Sequence, residues 1–155
     1  MNTITQTPRL DLHHMTGAAR AAMIRLEERI KLDRTIRELV KVRASQINGC
    51  AFCLDMHWSD ARARGESEVR LSQLDAWAES PFYDDRERAA LALTEAMTHV
   101  AATRVPDEVW ARAARHFDEE ELANLVWAIG AINLWNRVQV ATRAVPASAT
   151  QPAAA

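Results

Sequence analysis

Residues 38–57 read ELVKVRASQINGCAFCLDMH and hold the only two cysteines of the chain, Cys50 and Cys53. His57 follows Cys53 at a spacing of four, and Glu38 stands twelve positions before Cys50. If 49–63 is an α-helix, at about 100° per residue Cys50, Cys53 and His57 fall within an arc of roughly 60°. Two thiols and an imidazole then share one face. Cysteines three apart near a helix start also lie within the roughly 4.4–6.8 Å Cα separation that a disulfide needs. The arrangement reads as redox chemistry on a helix.

Helical signals surround this stretch. Upstream, Met15, Ala19, Ala22, Met23, Leu26 and Ile30 recur at threes and fours, which predicts one amphipathic helix over Leu12–Leu32. Asp33 suits the N-cap of a second helix ending near Ile47, with Ile36, Leu39, Val40 and Ile47 as its apolar side. Asn48-Gly49 breaks that helix, the cysteine helix follows, and Gly65 suits a left-handed C′ position. Ser67 opens a short segment with Val69, Leu71, Leu74 and Trp77, closed at Ser80-Pro81. Asp84-x-x-Glu87 and Asp118-x-x-Glu121 are capping-box patterns. The first precedes a helix over Arg86–Val100, with Ala89, Leu93, Ala96, Met97 and Val100 in register. The second precedes a helix to about Thr142, with Leu122, Leu125, Val126, Ile129, Ile132 and Trp135 as its stripe. Between them Pro106 suits the start of a helix over Asp107–His116. No window alternates as a strand does. The expectation is an all-α, compact single-domain bundle of about six to seven helices over 11–143, with a flexible N-terminus over 1–10 and a disordered Pro/Ala/Ser/Thr tail over 144–155.

The chain has 155 residues, four glycines and a net charge of −2. That length supports a core without disulfide staples. The mixed charge gives no footprint for nucleic acid. No apolar run approaches the roughly 20 residues of a membrane span, and Met1–Arg9 lack the apolar core of a secretory signal. The expectation is a cytoplasmic protein that binds neither nucleic acid nor membrane, in which a vicinal cysteine pair is catalytic or metal-binding rather than structural. The last helix is apolar on too many sides for a lone small domain, so a homo-oligomer is expected.

The pattern Glu38-x11-Cys50-x2-Cys53-x3-His57 resembles the alkyl hydroperoxidase D-like family, grouped with the carboxymuconolactone decarboxylases. Flanking residues extend the likeness: Leu39–Asn48, Asp55-Met56-His57, Ala61-Arg62-Ala63-Arg64-Gly65, Glu87-Arg88-Ala89-Ala90-Leu91 and Ala131–Arg137. The last of these looks like the short, single-domain branch, and the resemblance covers residues 12–140. It implies an all-helical thiol–disulfide fold assembled as trimers or hexamers. It further implies reduction of alkyl hydroperoxides by the cysteine pair, with no bound cofactor and recycling by an external dithiol donor, lipoyl-bearing or thioredoxin-like. By position, Cys53 corresponds to the peroxidatic thiol, Cys50 to its resolving partner, and Glu38 and His57 to a proton relay. Some members carry a histidine between the cysteines where this chain has Phe52, so the relay here is one group shorter. The decarboxylase branch proper lacks the cysteine pair.

The chemistry accounts for these residue types. A free thiol, with a pKa of about 8.5, is only a few per cent thiolate at neutral pH, and thiolate is the nucleophile. A helix N-terminus and an imidazole both lower that pKa. Peroxide leaves a sulfenic acid, which a neighbouring thiol condenses to a disulfide before over-oxidation. Helix position alone favours Cys50 as nucleophile, whereas His57 and the family pattern favour Cys53. Phe52, Met56 and Trp58 are candidates for an apolar substrate pocket, with core packing as the other reading. Asn133 and Asn136 are candidates for a subunit contact or the helix surface. No metal site is expected, because Cys50, Cys53 and His57 lie on one helix and lack a convergent fourth ligand. The rival functional reading is a redox-sensing or binding module whose disulfide state controls assembly or partner affinity; a third keeps the fold as a non-redox enzyme.

Overall fold

The structure is a computed structural model that describes residues 7–150. Most of the expected flexible N-terminus (1–6) and the end of the expected tail (151–155) lie outside the described residues. Every regular element among those described is helical.

The expected first helix is two: α1 (Leu12–Met15) and α2 (Gly17–Arg29). The break is local. Thr16 leaves helical geometry at φ −133°, and its hydroxyl donates to the Leu12 carbonyl at 2.9 Å. Of the expected stripe only Ile30 is buried, in extended backbone beyond the helix end, and Met15 is 67% exposed.

Asp33 accepts from the Ile36 N–H at 3.1 Å and opens α3 (Arg34–Ile47), the helix at the centre of the fold. Ile36, Val40 and Ala44 face one apolar cluster, and Leu39 and Val42 face another. Gly49, at φ +63°, turns the chain into α4 (Ala51–Ala63), which packs back along α3 as a hairpin. Gly65, at φ +93°, closes α4. Next come α5 (Glu68–Ser72) and a 3₁₀ turn (Leu74–Ala76), which bury Leu71 and Leu74 beside Trp77 while Val69 stays exposed.

Both capping boxes form. The first opens α6 (Asp85–Thr98), and the second opens α9 (Glu119–Thr142). The α6 helix ends earlier than expected, so Val100 falls in a separate turn, α7 (Val100–Thr103), and is exposed. Between them α8 covers Asp107–His116, as expected. Six helices have ten residues or more. The larger core joins α3, α6, α8 and α9 through Val40, Leu93, Ala113, Leu125, Ile129 and Ile132. The second core puts Ala61 of α4, with Leu54 and Trp58, against Leu39, Leu71, Leu74 and Leu91. At about 25 cal/mol per Å² of buried apolar surface, these clusters hold α3 and α4 in fixed register.

The described residues at both ends make long-range hydrogen bonds. Arg9 is tied to the end of α9, its N–H donating to the Thr142 carbonyl at 2.8 Å. The tail is ordered over Ala147–Thr150, a 3₁₀ turn whose Ser148 N–H donates to Asp55 Oδ2 at 3.1 Å. A long-range bond to α4 replaces the core contacts that the tail's composition lacks. Among the described residues no helix is long and apolar enough to cross a membrane.

Candidate active site

Cys50 is the N-cap of α4 and Cys53 lies in its first turn; they form a disulfide with Cα atoms 5.3 Å apart. The Cys53 N–H donates to Cys50 Sγ at 3.3 Å, so the cap satisfies a helix donor with sulfur where an oxygen is usual. Each cysteine is 1% exposed.

Two of the expected partners meet each other across α3 and α4. Glu38 of α3 and His57 of α4 are buried, with Glu38 Oε2 3.7 Å from His57 Nδ1. That is an electrostatic contact, longer than the roughly 3.2 Å limit of an N–H···O hydrogen bond. Neither atom has another hydrogen-bond partner. The other oxygen of Glu38 pairs with the half-exposed guanidinium of Arg64. Burial alone would raise the Glu38 carboxyl, but His57, Lys41 and Arg64 together outweigh it and hold it below its ordinary 4.5. Glu38 is therefore ionised at neutral pH and able to accept a proton.

The face of α4 that carries this chemistry continues beyond the motif. Cys53, His57, Asp60 and Arg64 recur at spacings of four, three and four, within about 60° around the helix. On α3, Arg34, Glu38, Lys41 and Ser45 repeat the same spacing. Both polar rows were visible in the sequence, and the motif alone did not select Asp60 or Arg64. Arg34, Thr35, Glu38, Arg64, Glu66 and Arg70 are among the residues lining a cavity of about 640 Å³ that opens beside Glu38.

The three residues expected at an apolar pocket separate. Trp58 packs into the second core, Phe52 is half-buried and Met56 is 42% exposed. None of them lines the cavity. Its walls are charged: Arg34 and Glu38 of α3 and Arg64 at the end of α4 are joined there by Glu66, Arg70 and Glu87.

Asn133 and Asn136 are not at the helix surface; both are buried. Asn48, at the turn into the cysteines, donates through Nδ2 to Asn136 Oδ1 at 2.9 Å and to Asn133 Oδ1 and the Ala44 carbonyl at 3.0 Å. Asn136 Nδ2 donates to Ser45 Oγ at 2.9 Å, and the Cys50 N–H donates to the Ser45 carbonyl at 3.0 Å. This network fixes where Cys50 sits. Its sequence signal was two asparagines one turn apart in an otherwise apolar helix.

A helical bundle with a vicinal cysteine pair at a helix start, backed by a buried carboxylate–imidazole pair, defines an all-α thiol–disulfide protein. The sequence profile of the carboxymuconolactone decarboxylase family matches residues 11–96. The Bacillus subtilis protein YdfG, itself uncharacterized, is 53% identical over 110 residues, covering 71% of this chain and 75% of YdfG. The crystal structure of ATU0492 from Agrobacterium tumefaciens superimposes with a TM-score of 0.87 at 38% identity, covering 90% of this chain and 98% of that one. ATU0492 is a protein of unknown function for which a role in antioxidant defence, as AhpD, has been suggested. The debrominase Bmp8 shares the fold, with a TM-score of 0.74 at 21% identity, covering 88% of this chain and 74% of Bmp8. The chain belongs to the carboxymuconolactone decarboxylase family.

Proposed function

We propose that this protein is a peroxiredoxin-like oxidoreductase that reduces organic hydroperoxides through a Cys50–Cys53 dithiol/disulfide cycle. The observation that carries the reading is the bonded cysteine pair at the start of α4 with the Glu38–His57 pair on the same polar seam. The likeness to ATU0492, with its suggested role in antioxidant defence, supports it.

In the cycle the Cys53 thiol gives its proton to the His57–Glu38 pair, and the thiolate attacks the terminal peroxide oxygen. The O–O bond breaks, the alcohol leaves with a proton, and Cys53 becomes a sulfenic acid. The Cys50 thiol then attacks that sulfur; the S–S bond forms and water leaves. An external dithiol donor, lipoyl-bearing or thioredoxin-like, returns two electrons and two protons by exchange. Cys53 is the attacking sulfur because i and i+4 side chains face each other, which places its thiol beside His57. Cys50 gains the helix N-terminus, worth about 0.3–1 kcal/mol when exposed, less than one pKa unit.

The protein works as a cytoplasmic homo-oligomer, a trimer or hexamer, in which Trp127 and Leu134 of α9 meet a second copy. They are 59% and 45% exposed, on one stripe with Gly130 between them.

The test is steady-state turnover of cumene hydroperoxide with dihydrolipoamide as donor. Wild-type protein cycles and the Cys50→Ala/Cys53→Ala double variant does not; activity kept by the double variant means that peroxide reduction does not run through the cysteines. The alternative is a redox-sensing module whose disulfide state sets assembly or partner affinity. Stoichiometric oxidation without cycling is its signature.

A further inference from the structure

We propose that Glu38, His57 and Asp60 bind one divalent transition-metal ion, with Zn²⁺ the best fit to the donor set. Each residue offers one ligand atom, and the three atoms lie within 4.8 Å of one another. They come from two helices, so they converge from more than one element.

The second observation concerns atoms without partners. Glu38 and His57 are 7% and 5% exposed, and Glu38 Oε2 and His57 Nδ1 are buried without a hydrogen bond. They face each other at 3.7 Å. That is too far for a hydrogen bond but close to the roughly 3.4 Å between ligands of a tetrahedral ion with bonds near 2.1 Å. Asp60, one turn beyond His57 and half-buried, supplies the third donor. One imidazole and two carboxylates leave a fourth position for water, the form of an open zinc site.

The surroundings suit an ion. Arg64 holds the other Glu38 oxygen and so orients the carboxylate from outside the site. The charge of Lys41 is offset by Glu27 at 3.6 Å. An ion at these atoms occupies the route of the proton in the cycle proposed above; this consequence rests on that reading, whereas binding itself does not.

The experiment therefore reads binding on the oxidised protein, where the disulfide keeps both sulfurs out of coordination. Isothermal titration with Zn²⁺ is expected to give one site per chain. Loss of an outer-sphere partner alone costs about 10–100-fold in affinity, so Asp60→Asn should weaken the site by at least about tenfold. His14→Gln, at a surface histidine, should leave it unchanged. Co²⁺ should show tetrahedral d–d bands with wild-type protein and lose them with Asp60→Asn. The half-buried position of Asp60 spares the fold, which an unshifted melting temperature without metal verifies. Absence of stoichiometric binding, or equal affinity in Asp60→Asn, overturns the site. In the reduced protein Zn²⁺ should slow peroxide-driven thiol oxidation in the wild type and less in Asp60→Asn. Equal rates with and without Zn²⁺ overturn its role as an inhibitor, and a failed peroxidase assay leaves the titration readable.

Discussion

The polar network under the cysteine turn makes a prediction that a contact tally would miss. In Asn48→Ala the Asn133 oxygen keeps its bond from Arg137 at 2.8 Å, and the Ala44 carbonyl keeps the backbone N–H of residue 48 at 3.0 Å. Asn136 Oδ1 loses its donor inside a fully buried residue. A lost hydrogen bond costs about 1 kcal/mol and an orphaned buried acceptor about 1–3 more, giving roughly 2–4 kcal/mol. For a domain of this size that lowers the melting temperature by about 5–10 °C. Asn136→Leu is milder, about 1 kcal/mol, because Asn48 retains two acceptors for its two amide hydrogens. The double variant removes donor and acceptor together, so no orphan remains and its loss falls short of the sum by about 1–2 kcal/mol. Urea denaturation of the four proteins measures the coupling. Additivity within about 0.5 kcal/mol would refute the reasoning.

Three further outcomes follow from the same geometry. Gly49 has φ +63° and open space around it, so Gly49→Ala meets no clash and loses only about 1–2 kcal/mol of backbone energy, read as a modest drop in melting temperature; a loss above about 3 kcal/mol would mean a steric role instead. The Glu38 carboxyl sits below its unfolded 4.5, so its contribution to stability is present above that pH and disappears as pH falls through the lowered value. Melting temperatures measured between about pH 5 and pH 3 should therefore fall less steeply in Glu38→Gln than in the wild type, and equal slopes would assign the acid sensitivity elsewhere. Trp127→Glu puts a charge in the exposed α9 stripe and should shift the mass in solution from oligomer to monomer, as sedimentation velocity reports; an unchanged mass would move the contact to another face.

The readable parts of the fold were those written locally. Asp33, the two capping boxes and Gly65 placed helix ends because each satisfies backbone groups within a turn of itself. Thr16 escaped notice because a hydroxyl bonding four residues back competes with an apolar period that is nearly continuous through it. The site divides the same way. Glu38, Cys50, Cys53 and His57 announced themselves by spacing; the α3–α4 hairpin sets Glu38 against His57, and Cys50 bonds Cys53 at the start of α4. Asp60 and Arg64 lay in plain sight on the same helix face, but charged residues at helical spacing usually mean a solvated surface. The Asn48–Asn133–Asn136 network and the Asp55–Ser148 contact join residues about ninety positions apart, and no local pattern encodes such pairs. Phe52, Met56 and Trp58 stand beside the motif in sequence, whereas the cavity beside Glu38 draws its charged lining from α3, the end of α4, Arg70 and Glu87, which no local pattern joins.

The account stands most directly on which sulfur a peroxide oxidises first. Reduced Cys50→Ser treated with one equivalent of hydroperoxide should carry a sulfenic acid on Cys53, located by trapping and peptide mass mapping, while Cys53→Ser should react far more slowly. An oxidised Cys50 in the Cys53→Ser protein, formed at the wild-type rate, would contradict it.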